Sequence, residues 1–331
     1  MRSVVYQLVL AVILFVATVC LFKTGFAHRP DGNRMEIYMA LSHSHLYPPA
    51  GDIPPMYESR QLPCVLTSRW FDYWQPDPYS WNLGGVCYGA YNGLWVLLLL
   101  VTLIFVLRNA YLPMLGVLAG LAGNSVLNWP PYYMPWDMPA MFFFTAAYLC
   151  YRKKWWVPLL AIVFIGSFFK ETILLGALFA LNAPWKWRGR VGAIVGVIVL
   201  ATLLDRLWMP VHSAPAWYYS IQLWRSRFSL KSLLDLWPVL MANTGGVIFL
   251  VIYLVRLRDW PLRLVVAIFI AGQCLNDIGY GVYNELRVWC ELLPLGWILF
   301  NDLLFAPRTA KSANSPGDNS GPPLEISVNR A

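Results

Sequence analysis

The fold of this chain is decided by residues 155–185, which read WWVPLLAIVFIGSFFKETILLGALFALNAPW. The stretch is apolar from end to end except for Lys170, Glu171 and Thr172 near its middle. Charged residues inside such a run are costly in a bilayer and usually mark function. Basic residues lie on both sides of the stretch, at 152–154 before it and within the segment 186–190 after it. The threading of this stretch therefore decides the topology of the second half of the chain.

The composition is that of a membrane protein. Hydrophobic residues make up 58% of the 331-residue chain, charged residues make up 13%, and the mean hydropathy is +0.52. Apolar runs of about 20 residues recur along the sequence, which indicates a polytopic protein and excludes an ordinary soluble domain. The net charge of +8 lies in short clusters between apolar runs, so it does not indicate a nucleic-acid partner. The expected fold class is an all-α, polytopic transmembrane helix bundle.

The distribution of basic residues favours a helical hairpin over a single crossing for the opening stretch. Cytoplasmic segments carry an excess of Lys and Arg. A single crossing places most of the later basic residues outside the cytoplasm, whereas a hairpin keeps them inside. Each arm then has about 13 residues, or roughly 20 Å of helix, which is shorter than the ~30 Å hydrocarbon core. The hairpin tip, at Lys170, Glu171 and Thr172, is therefore expected within the outer half of the membrane.

The other apolar runs predict about eight spanning helices around this hairpin. They cover residues 4–21, 91–107, 111–128, 139–151, 191–209, 238–255, 262–275 and 288–305. Together they form one transmembrane domain, 1–305, followed by a disordered cytoplasmic tail, 306–331. The first two helices are joined by a long extracytoplasmic loop, 23–88, in which Cys64 and Cys87 either pair or stay free. Both termini are expected in the cytoplasm.

Polar residues suited to catalysis converge on the outer face in this topology. Carboxylates act as general bases, and Lys or Arg side chains hold phosphate oxygens. An outward cavity that contains both suits an anionic, lipid-linked substrate and an acceptor that loses a proton. The catalytic candidates are Asp31, Glu36, Asp137 and Glu171, and the substrate-binding candidates are Arg60, Lys170, Glu285 and Arg287.

Several of these candidates also have a purely structural interpretation. Lys170 and Glu171 would form an ion pair that only stabilises the hairpin. Asp137 would cap the N-terminus of its helix. Arg287 would pair with Glu291, which lies one helical turn away. The sequence shows no clear set of metal ligands, so the cofactor stays open, with a divalent metal ion as one candidate.

Four short motifs carry a resemblance to known proteins. They are Asp31 to Tyr38, Tyr57 to Pro63, Trp136-Asp137-Met138-Pro139 with Lys170-Glu171-Thr172, and Glu285 to Pro294. With these motifs, residues 1–305 resemble a group of bacterial polytopic membrane proteins. The layout is similar to that of the GT-C superfamily of membrane glycosyltransferases, which has a long first outer loop with an essential acid and a site at the outer membrane face.

The resemblance implies transfer of a sugar from a polyprenyl-phosphate donor to an acceptor at the extracytoplasmic face of a bacterial inner membrane. It assigns Asp31, or else Glu36, as the acid after the first helix, acting as base or metal ligand. Arg60, Lys170 and Arg287 would hold the donor phosphate. The implied partners are the lipid bilayer and the polyprenyl-phosphate-linked donor, and the oligomeric state is left open.

Two other classes of function fit the same residues. A transporter or flippase of a lipid-linked or small anionic solute would use Arg60, Lys170 and Arg287 as a transit site. Such a protein needs access from both faces of the membrane, whereas a transferase cavity opens outward only. A non-catalytic membrane assembly subunit would instead use the charged cavity to bind a partner protein.

Overall fold

The computed structural model describes residues 2–27, 61–75, 83–107, 109–127, 135–208, 259–280 and 290–305. Within these ranges the chain is all-helical, with nine α-helices, a 12-residue 3₁₀ helix, a short 3₁₀ turn at 290–292 and no strand. In chain order they are α1 (Arg2–Ala27), α2 (Gln61–Trp74), α3 (Leu83–Val106), α4 (Tyr111–Leu127), α5 (Asp137–Arg152), α6 (Trp156–Ser167), the 3₁₀ helix (Glu171–Asn182), α7 (Trp187–Trp208), α8 (Trp260–Tyr280) and α9 (Leu293–Phe305). The predicted all-α class is therefore confirmed for this part of the chain.

Three of the described helices have the length and apolar composition needed to cross a membrane. They are Val4–Thr24 in α1, Leu83–Val106 in α3 and Trp187–Leu204 in α7. Shorter apolar helices accompany them, among them both segments of the 155–185 stretch. These features indicate a membrane protein. The predicted span at 238–255 and the predicted tail at 306–331 lie outside the described residues.

The second long helix begins earlier than the sequence pattern predicts. The expected start was Tyr91, but α3 begins at Leu83 and includes Cys87. The predicted loop at 23–88 also contains α2, in which Cys64 is buried. Neither Cys64 nor Cys87 forms a disulfide, so the structure favours the alternative in which both stay as thiols. Trp70 of α2 donates a hydrogen bond to the Cys87 carbonyl over 3.0 Å, which ties α2 to α3.

Glycines at four-residue spacing bring α1 and α3 into close contact. A Cβ atom added at Gly89 would lie 2.7 Å from the Val19 carbonyl oxygen, and one at Gly93 would lie 2.8 Å from the Val19 side chain. Small residues at this spacing let two membrane helices approach until their backbones touch. The run of Gly, Cys and Asn that resembles a loop in the sequence is therefore the packing face of a helix.

Residues 155–185 form a hairpin, as the flanking charges predict. The chain leaves α6 at Ser167 and enters the 3₁₀ helix at Glu171. The two arms are in contact, because a Cβ atom added at Gly166 would lie 2.9 Å from the Ile173 side chain. A Cβ atom at Gly176 would lie 3.0 Å from Val163 in the opposite arm. These two contacts lie at successive levels of the hairpin, so the arms run antiparallel.

The base of the hairpin is fastened to the C-terminal end of α5. The Asn182 amide donates a hydrogen bond to the Tyr151 hydroxyl over 2.8 Å, and Tyr151 packs against Trp156 at the start of the other arm. The Tyr151 hydroxyl in turn donates to the Asp259 carboxylate, whose two oxygens lie 2.6 Å and 2.7 Å away. One tyrosine therefore joins both ends of the hairpin to the residue before α8.

Candidate functional site

The tip of the hairpin is positioned by a buried aromatic cluster. Phe169 is buried in the turn, and its ring centroid lies 5.0 Å from that of Phe143 in α5 and 5.2 Å from that of Trp95 in α3. The backbone of Lys170 is extended, with φ −158° and ψ 131°, and it leads directly into the 3₁₀ helix. The turn therefore directs the Lys170 side chain into the helix bundle, where it is buried.

The buried Lys170 ammonium lies between two buried carboxylates. Its Nζ atom is 2.6 Å from Oε1 of Glu291 and 3.6 Å from Oδ1 of Asp137. Glu291 lies just before α9, and Asp137 is the first residue of α5. Charges removed from water need close, well-oriented partners to offset the loss of hydration. Lys170 therefore ties the hairpin tip to the starts of two other helices.

Thr172 is the second hairpin residue that contacts the Glu291 carboxylate. Its hydroxyl donates a hydrogen bond to Oε2 of Glu291 over 2.6 Å. Both oxygens of this carboxylate are thus engaged by the hairpin tip, one by Lys170 and one by Thr172. Hydrogen bonds to an ionised group are short and about twice as strong as neutral ones. Glu291 is consequently held in one orientation.

Asp137 lies inside the first turn of α5 and does not cap it. The N-cap position is occupied by Trp136, and the helix begins at Asp137 itself. The interpretation of Asp137 as an N-cap is therefore wrong. A carboxylate in the first turn is still stabilised by the helix dipole. Asp137 also gives Lys170 a second counter-charge, so these residues comprise two carboxylates and one ammonium.

Glu171 differs from its neighbour because its side chain is exposed. The tip thus presents one carboxylate outward, directly beside a buried ammonium and two buried carboxylates. An exposed carboxylate can accept a proton from a molecule that reaches the tip. Glu171 therefore lies beside the point where the hairpin tip, the start of α5 and the residues before α9 meet.

The structure brings together only part of the predicted site. Asp137 and Lys170 are in contact, and Glu171 follows Lys170 at the surface of the tip. The other predicted residues lie outside the described ranges: Asp31, Glu36, Arg60, Glu285 and Arg287. The alternative pairing of Arg287 with Glu291 is outside them as well. Among the described residues no group of three or more His, Cys, Asp and Glu is arranged to hold a metal ion.

Thr172 and Glu291 belong to this cluster, although the sequence analysis gave neither residue a catalytic or substrate-binding role. The available signal for Glu291 was its position beside an apolar helix. Acidic residues in a membrane domain usually have a partner, so this position indicates a buried contact. Its partner was not predictable, since the contact joins the hairpin to a distant part of the chain. We refer below to Asp137, Lys170, Thr172 and Glu291 as the tip cluster.

No protein-family model, curated protein or solved structure matches this chain. The resemblance to GT-C glycosyltransferases therefore stays a prediction from the sequence motifs.

Proposed function

We propose that this protein is a membrane glycosyltransferase that transfers a sugar from a polyprenyl-phosphate donor at the extracytoplasmic face. The observation that carries the proposal is the tip cluster, in which a lysine is fixed by two carboxylates directly beside the exposed Glu171. Sugar transfer needs a base for the acceptor hydroxyl and a preorganised cation for the leaving phosphate. The tip supplies both kinds of group at adjacent positions.

The proposed layout is GT-C-like, with about eight spanning helices around the hairpin. The protein would lie in a bacterial inner membrane with both termini in the cytoplasm. Two observations support this arrangement. The described part of the chain contains three helices suited to spanning, and the hairpin base carries the basic residues expected on the cytoplasmic side.

In the proposed reaction, Glu171 takes the proton of the acceptor hydroxyl. The acceptor oxygen bonds to the anomeric carbon, the bond from that carbon to the donor phosphate breaks, and polyprenyl phosphate leaves with the electron pair. Lys170 stabilises this phosphate by exchanging its longer contact, the 3.6 Å contact with Asp137, for a phosphate oxygen. Glu291 keeps the ammonium in place during this exchange. The sequence assigns further members to the site: Asp31, Glu36, Arg60, Glu285 and Arg287.

Substitutions in the native host test this function. Glu171→Gln removes the base without changing the size of the side chain, so we expect loss of a surface glycan and accumulation of its lipid-linked donor at normal protein abundance. The matched control is Asp302→Asn, a carboxylate-to-amide change at the opposite end of the bundle, where Asp302 pairs with Arg152 over 3.0 Å. An unchanged glycan in the Glu171→Gln strain would refute the assignment of the base.

One observation favours a second candidate, a transporter or flippase for an anionic lipid-linked solute. Lys170 is buried, and buried intramembrane charges commonly mark transport pathways. The two functions differ in where the lipid-linked donor accumulates when Lys170→Met blocks the protein. A blocked transferase leaves the donor at the outer face, where an added glycosidase reaches it in whole cells. A blocked flippase leaves it at the inner face, protected until the cells are opened.

A further inference from the structure

The end of the hairpin opposite the tip cluster gathers several basic segments on one surface. Tyr151 is followed directly by residues 152–154, and its hydroxyl accepts a hydrogen bond from Asn182, just before the basic segment 186–190. Arg190 lies back against the end of the 3₁₀ helix and donates hydrogen bonds of 2.8 Å to the carbonyls of Leu181 and Trp185. The helix ends are thereby fixed together, and their cations share one face.

The acidic residues at this end are already engaged by internal partners. Asp302 pairs with Arg152 over 3.0 Å, and the Asp259 carboxylate accepts from the Tyr151 hydroxyl. Four cations of the two segments are exposed: Lys153, Lys154, Lys186 and Arg188. No carboxylate within the described ranges forms an ion pair with any of these four, which we call the basic face. The basic face is therefore available to an external anion.

Exposed tryptophans place the basic face at the depth of lipid headgroups. Trp155, Trp187 and Trp260 are 53%, 63% and 50% exposed, and each lies next to or within one of the segments joined at Tyr151. Indole rings collect at the boundary between hydrocarbon and water, because they are apolar with one polar edge. A cation beside such a ring lies at the level of phospholipid phosphates.

The backbone at Lys154 gives an independent reason to assign a function to its charge. Lys154 has φ 59°, in the left-handed region. The amide of Trp155 donates to the Cys150 carbonyl over 2.9 Å, and that of Lys154 to the Tyr151 carbonyl over 3.0 Å. This pair of bonds ends α5 in a Schellman motif, whose left-handed position is usually glycine. A lysine there is less favourable for the fold, and strained residues are concentrated at functional sites.

We propose that the basic face binds the phosphate groups of anionic phospholipids, and that it anchors the hairpin base in the headgroup layer. Clusters of Lys and Arg at the end of membrane helices attract anionic lipids electrostatically. The exposed indoles would hold the face at the bilayer surface while Lys153, Lys154, Lys186 and Arg188 contact headgroup phosphates. The interaction is independent of the proposed transferase reaction, which is assigned to the other end of the hairpin.

The test measures binding of phosphatidylglycerol and phosphatidylcholine to the full-length chain in a neutral detergent, by native mass spectrometry. The wild type is expected to prefer phosphatidylglycerol, and the preference should weaken as salt is added. Lys153→Gln with Lys186→Gln should lower the affinity for phosphatidylglycerol roughly 25-fold, about fivefold for each charge. The matched control removes two cations elsewhere, by Lys23→Gln with Arg69→Gln, and should retain the preference.

Three results would overturn the proposal. The first is an undiminished preference for phosphatidylglycerol in the Lys153→Gln/Lys186→Gln protein. The second is an equal loss of affinity for phosphatidylglycerol in the Lys23→Gln/Arg69→Gln protein, which would mean that surface cations contribute to binding wherever they lie. The third is equally strong competition by glycerol 3-phosphate at the same concentration, which would assign the face to a soluble phosphate.

A single substitution keeps the test valid if the double variant folds poorly. Lys154→Gly suits the left-handed backbone, so it should keep or raise the unfolding temperature. The same change removes one charge of the basic face and should lower the affinity for phosphatidylglycerol about fivefold. A Lys154→Gly protein that is more stable and binds phosphatidylglycerol as strongly as the wild type would refute the proposal.

Discussion

The ammonium of Lys170 lies 2.6 Å from a carboxylate oxygen of Glu291, although one residue is at the hairpin tip and the other lies two residues before the last described helix. This contact makes the charge of the tip cluster a determinant of stability. Removal of Lys170 leaves two buried carboxylates, whereas removal of the Glu291 charge leaves a balanced pair with Asp137. The two substitutions should therefore differ in cost.

We expect Lys170→Met to lower the free energy of unfolding by about 3–5 kcal/mol, because it removes the ammonium that the two buried carboxylates share. Glu291→Gln should cost less, about 1–3 kcal/mol, since the amide oxygen still accepts hydrogen bonds. The exposed Arg69 of α2 gives a control for loss of a surface charge, and Arg69→Gln should change stability by no more than about 0.5 kcal/mol. Denaturant titration in a mild detergent measures all three. The reverse order for Lys170→Met and Glu291→Gln would contradict the charge count.

Thr172 gives a test of the second bond to Glu291. Thr172→Val keeps the shape of the side chain but removes the donor of the 2.6 Å hydrogen bond. The loss should cost about 1.5–3 kcal/mol, the usual range for a bond to a charged group. Thr172→Ser retains the hydroxyl and should recover most of this loss. If the valine and serine variants unfolded at the same denaturant concentration, the hydroxyl would have no role in stability.

Tyr151 is the corresponding test at the hairpin base. Tyr151→Phe removes the hydroxyl that links Asn182 to Asp259, and should lower the free energy of unfolding by about 1.5–3 kcal/mol. Tyr6→Phe is the matched control, because Tyr6 is 64% exposed in α1. Thermal unfolding of both proteins in the same detergent compares the two. Equal unfolding temperatures would show that the Tyr151 hydroxyl does not fasten the base.

Two glycine-to-alanine substitutions should have opposite effects on stability, because the two glycines differ in how closely they are packed. Gly89→Ala forces a methyl group to within 2.7 Å of the Val19 carbonyl oxygen, and overpacking of this kind should cost about 1–3 kcal/mol. Gly192→Ala, in α7, places its methyl group in open space. That change should be neutral or stabilise by up to about 1 kcal/mol, because alanine favours the helix. Unfolding temperatures that fall equally in both variants would argue against the close approach of α1 and α3.

The hairpin and its orientation can be tested by labelling from one side of the membrane. In a protein without native cysteines, Lys153→Cys and Arg188→Cys precede and follow the hairpin. We expect an impermeant maleimide to label both in inside-out vesicles and neither in intact cells. Tyr73→Cys, in α2, should show the reverse pattern. Labelling of positions 153 and 188 from opposite sides would indicate a single crossing and contradict the hairpin.

The sequence predicted the hairpin because its basis is local. Two charged residues at the centre of 155–185 and basic residues at both ends were sufficient to infer a reversal. The early start of α3 escaped prediction, since Gly89 and its neighbours are favourable in a helix only when α1 lies against them. Contacts that join distant segments were not predictable from one sequence, and the bond from Lys170 to Glu291 is the main example. The proximity of Asp137 to Lys170 was expected, but their geometry was not.

The fastening of the hairpin at both tip and base sets a limit on its length. The adjoining α5 has 16 residues, roughly 24 Å, and α6 has 12 residues, roughly 18 Å. The 3₁₀ arm reaches roughly 24 Å with 12 residues, because each residue advances the chain ~2.0 Å. Deletion of one residue from α6 would turn the rest of that arm by about 100°, so Lys170 could no longer meet Glu291 while Tyr151 stays bound to Asn182. In proteins that share this hairpin, the number of residues between the two fastenings should vary much less than their identity.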